Sequence, residues 1–208
     1  MPTPNFDLIL VTDRTQTRGR DLLWVVEQAL AGGVNAVQLR EKDLSGRDLF
    51  ELAEKMRRLC DRYDAALFIN DRIDVALAVD AAGVQLGKTS IPLHDARALL
   101  GSEKLLGYSA HSLEEAQAAR SSGADFLLFG PVYFTPSKAQ FGAPQGQDAA
   151  KKIVEKVSLP VYAIGGIRSE SIVEMQRIGV RGVALISAII SADDPKLAAQ
   201  SMVRLLRR

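Results

Sequence analysis

The chain has almost no cysteine: Cys60 stands alone, so no internal disulfide can form and packing has to hold the fold together. A lone thiol is compatible with a reducing, cytoplasmic setting. Cys60 falls in the helical pattern 49–62 and reads as a buried thiol, since nothing nearby would lower its pKa for chemistry. An excess of charge is missing too. The formal net charge is +1, which gives no broad basic surface and argues against nucleic acid as a partner. Any anion site must be local. Long apolar runs are also absent: none approaches the ~20 residues needed to span a bilayer, so no membrane partner is expected. The apolar stretch from Phe6 to Thr12 is cut short by Asp13 and Arg14, and no signal peptide is expected.

What is present is a regular alternation. With 208 residues the chain fits one domain, 1–208, near the lower end of length for an eight-fold barrel. Eight short β-rich runs are expected at 8–11, 36–39, 66–69, 83–86, 105–108, 126–129, 161–164 and 183–186. Amphipathic helical patterns lie between and after them, at 21–31, 46–62, 73–79, 92–99, 113–121, 147–156, 169–178 and 195–207. Strands alternating with helices are the signature of βα units and a parallel sheet. A weak repeat supports the count, because Gly33, Gly123 and Gly179 each end a helix just before a strand begins. Ser112 followed by Glu115 matches an N-terminal capping box. Eight units favour an α/β fold consisting of a single (β/α)8 TIM barrel over an open doubly wound sheet.

Polar residues gather where the apolar runs stop, and in a barrel all those ends meet on one face. Thr12 and Asp13 follow the first run, Arg40-Glu41-Lys42 the second and Asn70-Asp71 the third. Alternation in an extended chain puts Gln38, Arg40 and Lys42 on one side, where two cations and an amide suit a diphosphate. Their alternative is a plain solvated strand end. Gln38 weighs against that, because a polar group inside an apolar strand requires a partner. Asp71 could hold Mg2+ beside Asn70, or cap the next helix. Thr135, Ser137 and Lys138 lie in the long connection 132–146, which reads either as a lid or as a merely flexible loop. Gly165 and Gly166, paired with Ser187 and Ala188 after the eighth run, suit a phosphate cup; a tight turn is the other explanation of the two glycines.

These segments, in this order, carry a family resemblance. Gln38-Leu39-Arg40-Glu41-Lys42, Asn70-Asp71-Arg72, Gly107-Tyr108-Ser109-Ala110-His111-Ser112, Gly130-Pro131-Val132-Tyr133, Thr135-Pro136-Ser137-Lys138, Ile164-Gly165-Gly166-Ile167 and Ile186-Ser187-Ala188-Ile189 resemble the thiamine phosphate synthase and thiazole tautomerase superfamily. The resemblance runs over essentially the whole chain. It implies a transferase that joins hydroxymethylpyrimidine diphosphate to thiazole phosphate, giving thiamine phosphate and pyrophosphate. The partners implied are thus phosphorylated pyrimidine and thiazole small molecules. By the same analogy Gln38, Arg40, Lys42, Asn70, Ser109 and Lys138 would hold the diphosphate, with Arg40, Lys42 and Lys138 as the catalytic cations and Asp71 on Mg2+. Thr135 and Ser137 would line the thiazole phosphate side, and Gly166 with Ile186 and Ser187 would complete its phosphate cup. Such a reaction needs charge stabilisation and alignment more than a strong base, which fits a chain with two histidines.

Two departures from the synthase pattern stand out. Ser90 occupies the place of an expected acidic Mg2+ ligand, and Gln85 that of the usual histidine. Losing a carboxylate should weaken Mg2+ binding, and Lys88 could pair directly with the diphosphate instead. The tautomerase branch is the rival reading, but its characteristic histidine is replaced here by Pro131, while Lys42 and Asp71 are present. A non-catalytic binder of thiazole phosphate or thiamine phosphate is the third. His111 at the strand ends reads as structural and His94 as exposed. Apolar residues on the outer helices would permit a homodimer.

Overall fold

Each apolar run is too short to bury itself, and the eight close on one another as a parallel barrel. The computed structural model describes residues 3–136 and 143–207. The strands are β1 (Leu8–Val11), β2 (Ala36–Leu39), β3 (Ala66–Asn70), β4 (Gly83–Leu86), β5 (Leu105–Ala110), β6 (Phe126–Phe129), β7 (Val161–Ile164) and β8 (Gly182–Leu185). They pair in chain order, and β1 pairs with β8 through Leu8 opposite Val183 and Leu10 opposite Leu185. The fold is a single (β/α)8 TIM barrel.

The helices among the described residues are α1 (Leu22–Ala31), α2 (Gly46–Arg62), α3 (Ile73–Ala78), α4 (Leu93–Leu100), α5 (Leu113–Ser121), α6 (Gly146–Lys156), α7 (Ser169–Ile178), α8 (Ser187–Ile190) and α9 (Pro195–Leu206). Their starts follow from side chains that satisfy the orphan N–H groups of a first turn. Asp21, Ser45, Ser112 and Asp194 accept from the backbone of Trp24, Asp48, Glu115 and Leu197 respectively. The capping box at Ser112 forms with a shift: Glu115 reaches back to the N–H of His111, at 2.8 Å, one residue earlier than the motif predicts. Gly179 ends α7 in the left-handed region at φ 92°, as the sequence suggests.

Sequence boundaries are off where polar chemistry begins. The eighth strand starts at Gly182 and stops at Leu185, so Ile186 lies outside it and Ser187 opens the short helix α8. The sequence reading has no counterpart to α8 or to the 3-10 turn at Arg14–Gln16. The fifth strand runs two residues further than expected, to Ala110.

Period-2 alternation sends one set of strand residues inward and the other toward the helices. The outer set joins the helices in the larger core. Inside the barrel, Ile9, Val11, Phe68, Phe126, Leu128 and Tyr162 form a second cluster. Phe6, just before β1, closes the N-terminal end: its ring lies 5.3 Å from Phe68 edge-on and 5.1 Å from Tyr162 in a stack. The Tyr162 hydroxyl donates to the Phe6 carbonyl at 2.9 Å, so the one polar atom of that ring is satisfied.

Cys60 lies on the buried face of α2, and burial pushes its thiol up to about 12. A neutral, inaccessible thiol does not attack. Native protein is therefore expected to leave a thiol reagent such as dithionitrobenzoate unreacted over minutes, and to take up one equivalent after unfolding. Fast labelling of the native form would mean that α2 opens or that the thiol is exposed.

Candidate active site

The C-terminal ends of β2, β3 and β4 carry a continuous chain of polar contacts. Gln38 points inward from β2 and is 4% exposed; its Nε2 donates to Asn70 Oδ1 at 2.9 Å. Asn70 Nδ2 in turn donates to Asp71 Oδ2 at 2.7 Å. The Ser90 hydroxyl donates to the other oxygen, Asp71 Oδ1. The partner that the sequence requires for Gln38 is thus another mouth residue, and the buried amide is satisfied. Asp71 sits at φ 62°, in the left-handed region, with its N–H on the Gln85 carbonyl at 3.1 Å. The capping alternative for Asp71 is corrected: the residue that precedes α3 is Arg72, with no side-chain cap bond. The Asp71 backbone leaves β3 too early to reach the first turn, and its exposed carboxylate is held across the strand ends instead.

Arg40 emerges beside Thr12, a fully buried residue whose Oγ1 accepts the Arg40 N–H at 2.9 Å. Asp13 lies near Arg40. Burial pushes its carboxyl up, but hydrogen bonds from Thr15 and Gln16 and the Arg40 charge outweigh this and hold it below the usual range. The alternation that would align Gln38, Arg40 and Lys42 is cut short, because β2 ends at Leu39 and the chain turns at Lys42. Glu41 is buried, 5% exposed, and accepts from the Arg14 backbone at 3.2 Å and from Arg14 Nη1 at 3.1 Å. Lys42 follows in an exposed turn. Extended geometry therefore carries Gln38 and Arg40 but not Lys42. Sequence reasoning gives Glu41 no role; the available signal was an acid wedged between two cations, with Arg14 after the preceding strand to receive it.

β5 adds Ser109, whose Oγ accepts from Gln85 Nε2 at 3.0 Å. Gln85, 1% exposed, finds its room over Gly107: a Cβ there would lie 2.1 Å from the Gln85 amide oxygen. The glycine of that motif is explained by its neighbour's side chain. The His111 ring Nδ1–H donates to the Gly130 carbonyl at 2.5 Å, a contact that fits the structural reading. His94, in α4, is 73% exposed in its side chain.

On the far side of the mouth, Gly165 and Gly166 have φ of 92° and 67°. A Cβ on Gly166 would lie 2.6 Å from the Phe134 carbonyl, so this glycine admits the β6 loop against β7. The tight-turn explanation and the phosphate-cup explanation are thus both compatible with these two residues. Thr135 is half-buried in that loop; Ser137 and Lys138 lie outside the described residues. Ile186 is half-buried, and Ser187 is exposed at the start of α8. Parallel strand direction sets Gln38, Arg40, Asn70, Asp71, Ser109, Gly166, Ile186 and Ser187 at one end of the barrel. A cavity of about 480 Å³ opens at the opposite end, around Asn35, Asp64 and Leu105, where Lys104 is paired with Asp80 and Arg57 with Asp61. The strand-end chemistry is not there.

For a metal the donor set is thin. Among the described residues no group of three or more His, Cys, Asp or Glu is placed to hold an ion. Mg2+ commonly takes one or two carboxylates and completes its shell with water and substrate phosphates. Asp71 fits that mode as an exposed residue at the mouth, with each carboxylate oxygen oriented by a neutral donor.

The match to known proteins covers the same span as the barrel. The family model described as thiamine monophosphate synthase matches residues 8–189. A putative thiamine-phosphate synthase of Geobacter sulfurreducens is 54% identical over 206 residues, 99% of this chain and 97% of that protein. A thiamine-phosphate synthase of Clostridium botulinum is 42% identical over 199 residues, 96% of this chain and 97% of that one. Among solved structures, a thiamine phosphate pyrophosphorylase from Pyrococcus furiosus superposes with a TM-score of 0.89 at 39% identity, covering 97% of this chain and 96% of that one. With the fold, the strand-end residues and these relatives in agreement, the chain belongs to the thiamine monophosphate synthase family.

Proposed function

We propose that this protein is a thiamine phosphate synthase, a transferase that moves the pyrimidinylmethyl group of hydroxymethylpyrimidine diphosphate to the nitrogen of thiazole phosphate. The family match supports the reaction, and the observation that carries the site is the convergence of Gln38, Arg40, Asn70 and Ser109 at one barrel end. In the reaction the bond between the pyrimidine methylene carbon and the diphosphate oxygen breaks, and pyrophosphate leaves with the electron pair. The thiazole nitrogen then supplies the pair for the new C–N bond. Catalysis is mainly alignment of two bound partners and neutralisation of the leaving charge.

Roles follow from chemistry. Arg40 offers a planar fork for diphosphate oxygens, and Lys42 and Lys138 add point charges. Gln38, Asn70 and Ser109 supply amide and hydroxyl contacts. Backbone N–H groups near Gly166, Ile186 and Ser187, with Thr135 and Ser137, bind the thiazole phosphate; strands seven and eight are the commonest phosphate site of this fold. Mg2+, held by Asp71, would neutralise diphosphate charge. A tautomerase would need an acid/base pair, and His111 is engaged with Gly130, so the geometry does not favour it. The lone thiol supports a cytoplasmic setting, and no helix among the described residues is long and apolar enough to cross a membrane. Exposed Trp24 and Leu197 on α1 and α9 are compatible with a homodimer.

The test is direct. Pure protein incubated with the pyrimidine diphosphate, thiazole phosphate and Mg2+ is expected to release thiamine phosphate and pyrophosphate in equal amounts. No product, together with isomerisation of a thiazole carboxylate phosphate, would transfer the chain to the tautomerase reading. Ligand stabilisation without any turnover would make it a binder.

A further inference from the structure

We infer that Arg14 is a positioning residue whose guanidinium takes up the two acids that flank Lys42, leaving Arg40 and Lys42 as cations for the diphosphate. The inference rests on the synthase reading above, in which Arg14 itself touches no substrate.

The segment Arg40-Glu41-Lys42-Asp43 alternates cation and acid, and left to itself its charges would offset one another. In the fold one side chain from the preceding loop claims both acids. Arg14, in the turn after β1, donates through Nη1 to Glu41 Oε2 at 3.1 Å and to Asp43 Oδ1 at 2.6 Å. Its Nη2 reaches the second oxygen of Asp43, the two-pronged contact that a planar fork allows. The Arg14 N–H adds a 3.2 Å bond to each Glu41 oxygen. Hydrogen bonding to Arg14 holds the Asp43 carboxyl below its usual range, and the same bonds push the guanidinium above its own.

Burial decides which acid matters more. The Glu41 side chain is 2% exposed, next to Arg40 in the chain, so its charge is poorly screened. Asp43 is 67% exposed and solvent screens most of its charge. Without Arg14, a buried carboxylate at position 41 would draw Arg40 or Lys42 toward itself, or oppose an arriving diphosphate. Asp13, the third acid near Arg40, is occupied by Thr15 and Gln16 at the start of its own turn. Among the described residues Arg40 and Lys42 form no ion pair, although acids surround them in the chain. The plainer alternative is a strap that merely ties the β1 loop to the β2 loop. Removing charge from both partners separates the two.

Calorimetry of the intact protein with inorganic pyrophosphate, at one fixed Mg2+ concentration, reads the two cations without relying on turnover. Arg14→Gln is expected to weaken pyrophosphate binding at least about tenfold, the scale of one unneutralised charge close to a bound anion. Adding Glu41→Gln to that variant removes the orphaned carboxylate and should bring the affinity back to within about threefold of native. A strap that works by shape alone predicts no recovery, since the double variant has lost both charged halves of the contact. In the product assay, Arg14→Gln should raise KM for the pyrimidine diphosphate and leave KM for thiazole phosphate within about twofold of native. Circular dichroism and Tm report whether the variants are folded. Should Arg14→Gln not fold, Arg14→Lys and Arg14→Lys/Glu41→Gln make the same comparison, with a smaller loss that the second change removes. Native pyrophosphate affinity in Arg14→Gln would overturn the inference. So would a loss that Glu41→Gln fails to relieve, or a native protein that does not bind pyrophosphate. The two readings fail separately: product from a protein indifferent to Arg14→Gln sinks this inference alone. Charge-dependent pyrophosphate binding without product sinks only the synthase reading.

Discussion

Arg40→Ala should lower kcat/KM for the pyrimidine diphosphate by about a hundredfold to a thousandfold, the usual loss when one preorganised stabiliser of leaving-group charge is removed. The size of the effect follows from how firmly this arginine is rooted. Its N–H is bound to the buried Thr12 hydroxyl, the next residue is buried and held by Arg14, and the Asp13 carboxylate lies close by. A side chain with a fixed base loses little entropy on binding, so its removal costs nearly the whole interaction. Arg40→Lys should restore charge without the planar fork and recover part of the rate. Because charge develops as the diphosphate leaves, kcat should fall more than KM rises. Far-UV circular dichroism should stay native. A variant with activity within threefold of native would mean that Arg40 does not touch the diphosphate, and the strand-end assignment would have to be redrawn.

The largest effect on stability should come from the sealed end of the barrel. Phe126→Ala is expected to cost about 3–5 kcal/mol, the range for truncating a fully buried aromatic ring. Phe126 is 1% exposed and meets three other rings edge-on, with centroids 5.6 Å from Phe6, 5.3 Å from Phe68 and 5.7 Å from Tyr162. Strands on every side prevent the wall from collapsing into the gap, so a cavity remains. For a chain of this length such a loss lowers Tm by roughly 6–20 °C. Leu99→Ala, at a position 60% exposed, is the control and should stay within about 0.5 kcal/mol of native. Equal midpoints for the two variants in urea would show that the ring cluster carries no special share of the stability.

The fold is legible in the chain because barrel strands buried on both sides read as near-continuous apolar runs. Five of them, 8–11, 36–39, 83–86, 126–129 and 161–164, coincide with the strands residue for residue. Errors arise where apolar pattern gives way to polar geometry. Ile186 looks like a strand residue, but its backbone turns at φ −117° and ψ −92° to start α8, and hydrophobicity carries no record of ψ. The site was legible to a similar depth. Gln38 stands out as a polar residue within an apolar strand, and it has its partner in Asn70. The Arg14–Glu41 contact spans 27 residues, and Ser90 reaches Asp71 across 19. A single sequence lists both members of each pair without saying that they touch. Position 90 could be noticed as a missing acid, but its two bonds to Gly87 and its bond to Asp71 depend on a turn that composition does not encode.

The seam between β1 and β8 has a consequence for synthesis on the ribosome. The first strand to emerge, Leu8–Val11, cannot be covered along its outer side until Val183 and Leu185 have been translated and have threaded into register beside it. Every shorter nascent chain carries an open curved sheet with two raw margins, each offering unpaired N–H and C=O groups to other polypeptides. A ribosome stalled before codon 182 would therefore leave a sticky, protease-sensitive product, and the last strand to leave the tunnel is the one that makes the protein safe among its neighbours.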